Sequence, residues 1–173
     1  MSHLNVEIKA RSRRPDHVRR VLKGRNADFR GVDRQIDTYF RCANGRLKLR
    51  EGNIEHCLIH YKRDNKDGPK ESVVTLYEPH PNSTLKEILV SSLGVLVVVE
   101  KEREIYFVDN IKFHIDTVRN FGSFVEIEAI DETGAIGRKR LQEQCEKYME
   151  LFEIQRDDLI AESYSDMLLE QGT

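Results

Sequence analysis

From Leu4 to Arg11 apolar and polar residues alternate without a break. A strand turns successive side chains to opposite faces, so Asn5, Glu7, Lys9 and Arg11 share one side. The habit recurs along the chain. Arg46, Lys48 and Arg50 alternate with Leu47 and Leu49, and Lys101 and Arg103 fall on one face. Lys112, His114 and Asp116 oppose Ile111, Phe113 and Ile115, while Glu126 and Glu128 alternate with Val125, Ile127 and Ala129. A sheet face this rich in both carboxylates and cations either lies open to water or surrounds a charged ligand.

The chain has 173 residues, which bounds it to one domain over 1–173 with a real core. With 39% apolar and 34% charged residues it is charge-rich but not of disordered composition. The net charge of −2 gives no global field for nucleic acid or a membrane surface, so neither is an expected partner. Cys42, Cys57 and Cys145 are odd in number and match no metal spacing. They read as free thiols of a reducing compartment, and no apolar signal region opens the sequence, so a cytoplasmic location is expected. The longest apolar run, Val95 to Val99, is far too short to span a bilayer.

The local signals predict mostly strands. After a strand over 3–11, Pro15 opens a helix through about Lys23, with Gly24 at its end. Strands follow at Asp33 to Cys42, Arg46 to Glu51, Glu55 to Arg63 and Glu71 to Tyr77, turned at Asn44-Gly45 and Gly52-Asn53. Ser83 is the expected cap of a helix through Ser92, with Leu85, Ile88 and Leu89 on one side. Three further strands are expected near 95–107, 111–118 and 123–130. A long helix over 134–152 and a short one over 163–170 complete the chain.

So many strands in hairpin succession favour an α+β, mainly β fold: a closed or nearly closed eight-stranded antiparallel barrel, which removes unpaired edges. Helices must cover something apolar. If they pack outside, the charged face turns into the lumen, the reverse of a small barrel filled by its own core.

Glu7, Glu126 and Glu128 are the candidate metal ligands, because a hard divalent cation takes carboxylate oxygens and leaves positions for water or phosphate. The plainer alternative is a set of solvated acids on an exposed strand. Lys9, Arg11, Lys48, Arg50, Arg63, Lys70, Lys101, Arg103 and Arg119 are the candidate phosphate binders, Arg through bidentate contacts and Lys as a point charge. Cross-strand ion pairing is the alternative for each one singly. His114 and Asp116 share a face and form a candidate acid–base pair or a support for metal-bound water. A structural histidine is an equally good reading. No Walker loop, G-x-G-x-x-G, H-E-x-x-H or Ser or Cys nucleophile motif is present.

Taken together these segments resemble the CYTH domain superfamily, the triphosphate tunnel metalloenzymes, and within it the class IV adenylyl cyclase-like branch. Asn5-Val6-Glu7-Ile8-Lys9-Ala10-Arg11 stands for the signature E-x-E-x-K, followed by Gln35-Ile36-Asp37-Thr38-Tyr39-Phe40 and Leu47-Lys48-Leu49-Arg50-Glu51. Tyr61-Lys62-Arg63-Asp64, Gly68-Pro69-Lys70 and Lys101-Glu102-Arg103 come next. His114-Ile115-Asp116-Thr117-Val118, Phe121 through Glu128 and Ser163-Tyr164-Ser165-Asp166 complete the order over nearly the whole chain.

The resemblance implies an eight-stranded barrel whose lumen binds a triphosphate with Mg²⁺ or Mn²⁺ held by acids. Lys9, Lys48, Arg50, Lys101 and Arg103 would bind phosphates, and Glu7, Glu126 and Glu128 would hold metal with Asp116 as helper. Lys9, Arg50, Lys101, Arg103 and His114 form the expected catalytic set. The implied activity is conversion of ATP to cyclic AMP and pyrophosphate. A triphosphatase acting on inorganic triphosphate, thiamine triphosphate or a nucleotide is the alternative, as is a non-catalytic triphosphate-binding module. Whether the chain forms a homodimer stays open. Asn5 departs from the first Glu of the signature: it keeps a carbonyl oxygen but lacks the charge.

Overall fold

The structure, a computed structural model, describes residues 2–172. Its eight strands are β1 (Ser2–Arg11), β2 (Asp28–Phe40), β3 (Arg46–Glu51), β4 (His56–Arg63), β5 (Lys70–Tyr77), β6 (Val95–Val108), β7 (Ile111–Val118) and β8 (Gly122–Asp131). They close into an antiparallel barrel in the order β1-β5-β4-β3-β2-β6-β7-β8, so no strand keeps an unpaired edge. Four helices, α1 (Pro15–Gly24), α2 (Leu85–Leu93), α3 (Arg138–Leu151) and α4 (Tyr164–Gln171), lie outside it. Among the described residues no helix is long and apolar enough to cross a membrane.

Closure follows the alternation. The outward residues Val6, Ile8, Ala10, Phe113, Ile115, Val125, Ile127 and Ala129 are buried against Val18 and Leu22 of α1 and Leu141, Cys145 and Tyr148 of α3. Truncating one such side chain, as in Ile8→Ala, removes its transfer free energy and leaves a cavity, about 2–5 kcal/mol in all. A second apolar layer puts Leu85, Leu89 and Leu93 of α2 on Phe40, Leu47, Leu49 and Leu58. With both helical layers outside, the alternate residues have only the lumen to face.

The structure departs from the local reading at several element ends, three of them with a clear cause. β2 begins at Asp28 rather than Asp33, because pairing with β6 extends it across a register shift between Phe29 and Gly31. The first turn of α2 is capped by Thr84 without a side-chain bond, so Ser83 plays no cap role. α3 starts at Arg138 rather than 134. The Asp131 carboxylate accepts the backbone N–H groups of Gly134, Ile136 and Gly137 at 2.7, 3.1 and 2.9 Å, which holds that stretch in a turn. At the β2–β3 connection Gly45 has φ +72°, and a Cβ there would stand 2.6 Å from the Tyr61 carbonyl oxygen.

Candidate active site

The barrel encloses a cavity of about 580 Å³, a usual size for a small-molecule site. The two ends differ. At the end where β1 finishes, residues 159–164 run across the lumen. Ile160 N donates to the Lys9 carbonyl at 3.0 Å, and Lys70 Nζ donates to the carbonyls of Ile160 and Ala161 at 3.2 and 3.1 Å. α4 begins there with a reciprocal cap between Ser163 and Asp166, and Arg46 grips Asp166 at 2.8 Å. Tyr164 forms the floor. Its hydroxyl donates to Asp116 at 2.8 Å, and Lys9 Nζ sits 3.9 Å from its ring centroid. The opposite end, where β1 starts, is open.

Above the floor, three cations from β3 and β6 converge on Asp37 of β2. Arg50 holds it through Nε at 2.9 Å and Nη2 at 2.8 Å, with Lys48 Nζ at 2.9 Å and Lys101 Nζ at 2.8 Å. Burial pushes the Asp37 carboxyl up, but Arg50, Lys101 and Lys48 together hold it well below the usual range. Burial pushes Lys101 down to about 7, because Arg103, Arg50 and Lys48 oppose the help it gets from Asp37. A single carboxylate thus holds three cations together.

The facing wall is acidic. Glu126 takes Lys9 at 3.3 Å, Arg103 at 3.0 Å and His114 Nδ1 at 3.0 Å. Glu7 pairs with Arg63, and Glu128 accepts from the Asn5 amide. Glu7 and Glu128 stand directly opposite one another in the β1–β8 register. Burial, with Glu7 and Glu126 nearby and Lys112 opposing, pushes Glu128 up to about 7. His114 goes the other way: burial and Arg103 push it down to about 3. An ionised Glu126 can only accept, so His114 Nδ1 carries the proton and Nε2 is a bare lone pair, buried without a partner.

A model of the CYTH domain matches residues 3–164. The chain belongs to the CYTH family. Proteins of this family act on triphosphates with divalent metal ions. No curated protein matches the sequence significantly. Solved structures share the CYTH barrel at low identity. The PH1012 protein of Pyrococcus horikoshii is 23% identical, with a TM-score of 0.73 over 94% of this chain and 98% of its own. A protein of Vibrio parahaemolyticus named as a candidate adenylate cyclase is 18% identical, with a TM-score of 0.74 over 98% and 99%. A candidate adenylyl cyclase of Hippeastrum, described as having a dominant triphosphatase activity, is 14% identical, with a TM-score of 0.58 over 97% and 95%.

Within this CYTH barrel Glu7, Lys9, Lys48, Arg50, Arg63, Lys101, Arg103, His114, Glu126 and Glu128 all line the cavity. Of four further residues expected at the site, two stand outside it and two are engaged in holding its structure. Arg119 is on the outer surface, paired with Glu100 at 2.8 Å, because it lies past the end of β7 in the turn to β8 and out of phase with the inward residues of β7. Arg11 is past the floor and exposed, over the Phe124 ring. Lys70 is turned inward but committed to two backbone carbonyls under the floor. Asp116 is buried and held by Arg103 at 2.7 and 2.6 Å and by Tyr164, so most of its acceptor capacity is already engaged.

The expected acid cluster is also looser than three converging ligands. Among the described residues no group of three or more His, Cys, Asp or Glu is placed to hold a metal ion as it stands. The donors still suit a hard divalent cation. Glu7 and Glu128 face one another, Glu126 is next along the same strand, and Asn5 Oδ1 is buried without a hydrogen-bond partner beside them.

Several lumen residues escape the strand-by-strand reading. Asp37 shares a face with Gln35 and Tyr39, so the alternation contains it. Glu55, expected to open the fourth strand on the same face as Arg63, sits instead in the β3–β4 turn. Asp33 accepts the N–H groups of Ile54 and Glu55, both at 2.9 Å, and this swings Glu55 inward to Arg50 at 2.9 Å and to Lys112. Gly52 allows that approach, because a Cβ there would lie 2.5 Å from Asp33.

Proposed function

We propose that this protein is a metal-dependent enzyme acting on a triphosphate, and that its reaction converts ATP to cyclic AMP and pyrophosphate. The observation that carries the reading is the triad of cations on Asp37, with Lys48 and Arg50 on β3 and Lys101 on β6, the two strands that flank β2. A triphosphate supplies more acceptors than Asp37 does and takes these cations over through charge-assisted hydrogen bonds. Glu7, Glu126 and Glu128 would hold Mg²⁺ or Mn²⁺, which when bound offsets charge on the phosphates and on the leaving pyrophosphate.

The closed floor supports attack at the α-phosphorus rather than the γ. A chain that enters from the open end puts its terminal phosphate toward Tyr164, Lys9 and Lys101, away from bulk water. The ribose 3′-hydroxyl is then the nucleophile already in place, and holding it in line replaces a bimolecular encounter. Its oxygen forms the bond to the α-phosphorus, the bond to the bridging oxygen breaks, and pyrophosphate leaves. His114 Nε2 is the acceptor for the hydroxyl proton. Glu126 on Nδ1 fixes the tautomer and stabilises the imidazolium, and the triphosphate brings the negative charge that raises its basicity.

A second reading, hydrolysis of a terminal phosphate, is favoured by Glu128. A carboxyl at about 7 is suited to take a proton from water. The Hippeastrum protein with dominant triphosphatase activity shares the barrel and keeps this reading in view. Product analysis separates the two. ATP with Mg²⁺ or Mn²⁺ is expected to give cyclic AMP and pyrophosphate in equal amounts. ADP with phosphate, or faster loss of inorganic triphosphate than of ATP, would replace the cyclase reading with the hydrolase.

A further inference from the structure

One ion pair in the lumen joins walls that are not neighbours. Lys112 is the second residue of β7, and β7, like β1, begins at the open end. Its ammonium pairs with Glu55, in the turn between β3 and β4. In the barrel order β2 and β6 separate that turn from β7, so the pair crosses the lumen instead of running along one wall. Both side chains line the cavity, Lys112 14% and Glu55 21% exposed. The second carboxylate oxygen of Glu55 accepts from Arg50 at 2.9 Å and from the Gln35 amide at 3.1 Å. One acid therefore ties a cation near the mouth to a cation of the Asp37 cluster. Burial pushes its carboxyl up, but Lys112 and Arg50 hold it well below the usual range, so it carries its charge at neutral pH.

A polyanion entering here meets Glu78 and Glu132 at the rim, Glu128 opposite Lys112 in the β7–β8 register, and the Glu55 carboxylate across its path. Its oxygens compete with Glu55 for the same two cations, and like charges repel strongly in a partly desolvated cavity. We propose that Glu55 is a self-inhibiting latch, which holds Lys112 and Arg50 until an entering triphosphate takes them and so leaves Lys112 to bind the phosphate nearest the mouth. This rests on the triphosphate reading above. It adds an acid that opposes binding and a cation that the reading does not use. Lys112 shares the inward face of β7 with His114, two residues on, which places it at the α-phosphate of that reading. The latch can open without unfolding its turn, because the backbone N–H of Glu55 stays on Asp33 at 2.9 Å while the side chain rotates.

The test is calorimetric titration in Mg²⁺ buffer with a methylene-bridged, non-cleavable analogue of inorganic triphosphate. Glu55→Gln removes the charge, keeps the shape and retains the backbone bond to Asp33. This variant is expected to bind the analogue at least about threefold tighter than the native protein does. Lys112→Gln is expected to bind it about tenfold more weakly. An ion pair that only supports the fold would move both variants in the same direction. Weaker or unchanged binding by Glu55→Gln, or unchanged binding by Lys112→Gln, overturns the latch, and binding by the native protein then leaves the triphosphate reading standing. If neither the native protein nor Glu55→Gln binds the analogue, the triphosphate reading falls and the latch with it.

Discussion

Lys101 Nζ and Asp37 Oδ2 are 2.8 Å apart, both fully enclosed, on neighbouring strands of the barrel. Arg50 and Lys48 reach the same carboxylate, so one negative group holds three positive ones in the lumen. The positive charges of the cluster outnumber the carboxylate at its centre.

Asp37→Asn tests that balance. It leaves Lys48 and Lys101 without a carboxylate while Arg50 keeps Glu55, and unfolding is expected to become easier by about 3–5 kcal/mol. Inorganic triphosphate should then raise the melting temperature of the variant more than that of the native protein. An equal ligand-induced shift in both would show that phosphates do not replace Asp37.

Lys48→Ala removes a cation whose side chain is only 12% exposed and whose loss leaves Asp37 still paired with Arg50 and Lys101. Triphosphate affinity is expected to fall by about 2–5 kcal/mol with little change in folding. Calorimetry reads the affinity and thermal melting the stability. Unchanged affinity would mean that the lumen cations serve only the internal ion pairs.

Glu128 gives a pH dependence with a definite sign. Its carboxyl rises from 4.5 to about 7 on folding, so its contribution to stability is fully present below about 4.5. That contribution is lost as the pH rises toward 7, on the order of 1–3 kcal/mol for this half-buried group. Melting in EDTA should fall over that window, and Mg²⁺ should restore it best above pH 7, where the carboxylate is ionised. Glu128→Gln should flatten both profiles and, combined with Glu126→Gln, abolish Mg²⁺-dependent turnover. A double variant with unchanged metal dependence rules out this acid wall as the metal site.

Tyr164→Phe deletes the hydroxyl that ties the floor to Asp116. Loss of a hydrogen bond to a buried carboxylate is expected to cost about 1.5–3 kcal/mol. Because Arg103 still holds Asp116, the effect should concentrate in α4, read as faster amide hydrogen exchange over Tyr164–Gln171 than in the barrel strands. Native-like protection of α4 would show that packing alone keeps the lumen closed at that end.

The sequence by itself determined the barrel and its polarity. Period-two alternation at Glu7-Lys9, Lys48-Arg50 and Glu126-Glu128 fixes which side chains share a face. Helices with apolar stripes must cover the other face, so the charges turn inward. Local signals also placed β3 and β7 at the residues they occupy. What they could not reach was anything set by contact between distant segments. Asp37 lies in the alternation, but its role depends on Lys101 arriving 64 residues later. Glu55 enters the lumen only because Asp33 captures the backbone of its turn. Lys70 and Arg119 have the right charge in the right neighbourhood, and the fold spends one on the carbonyls of the closing segment and leaves the other outside. Alternation is a property of one strand, whereas a site is a property of which strands meet. Only closure of the barrel, with α4 over one end, decided which cations face one another and which end stays open.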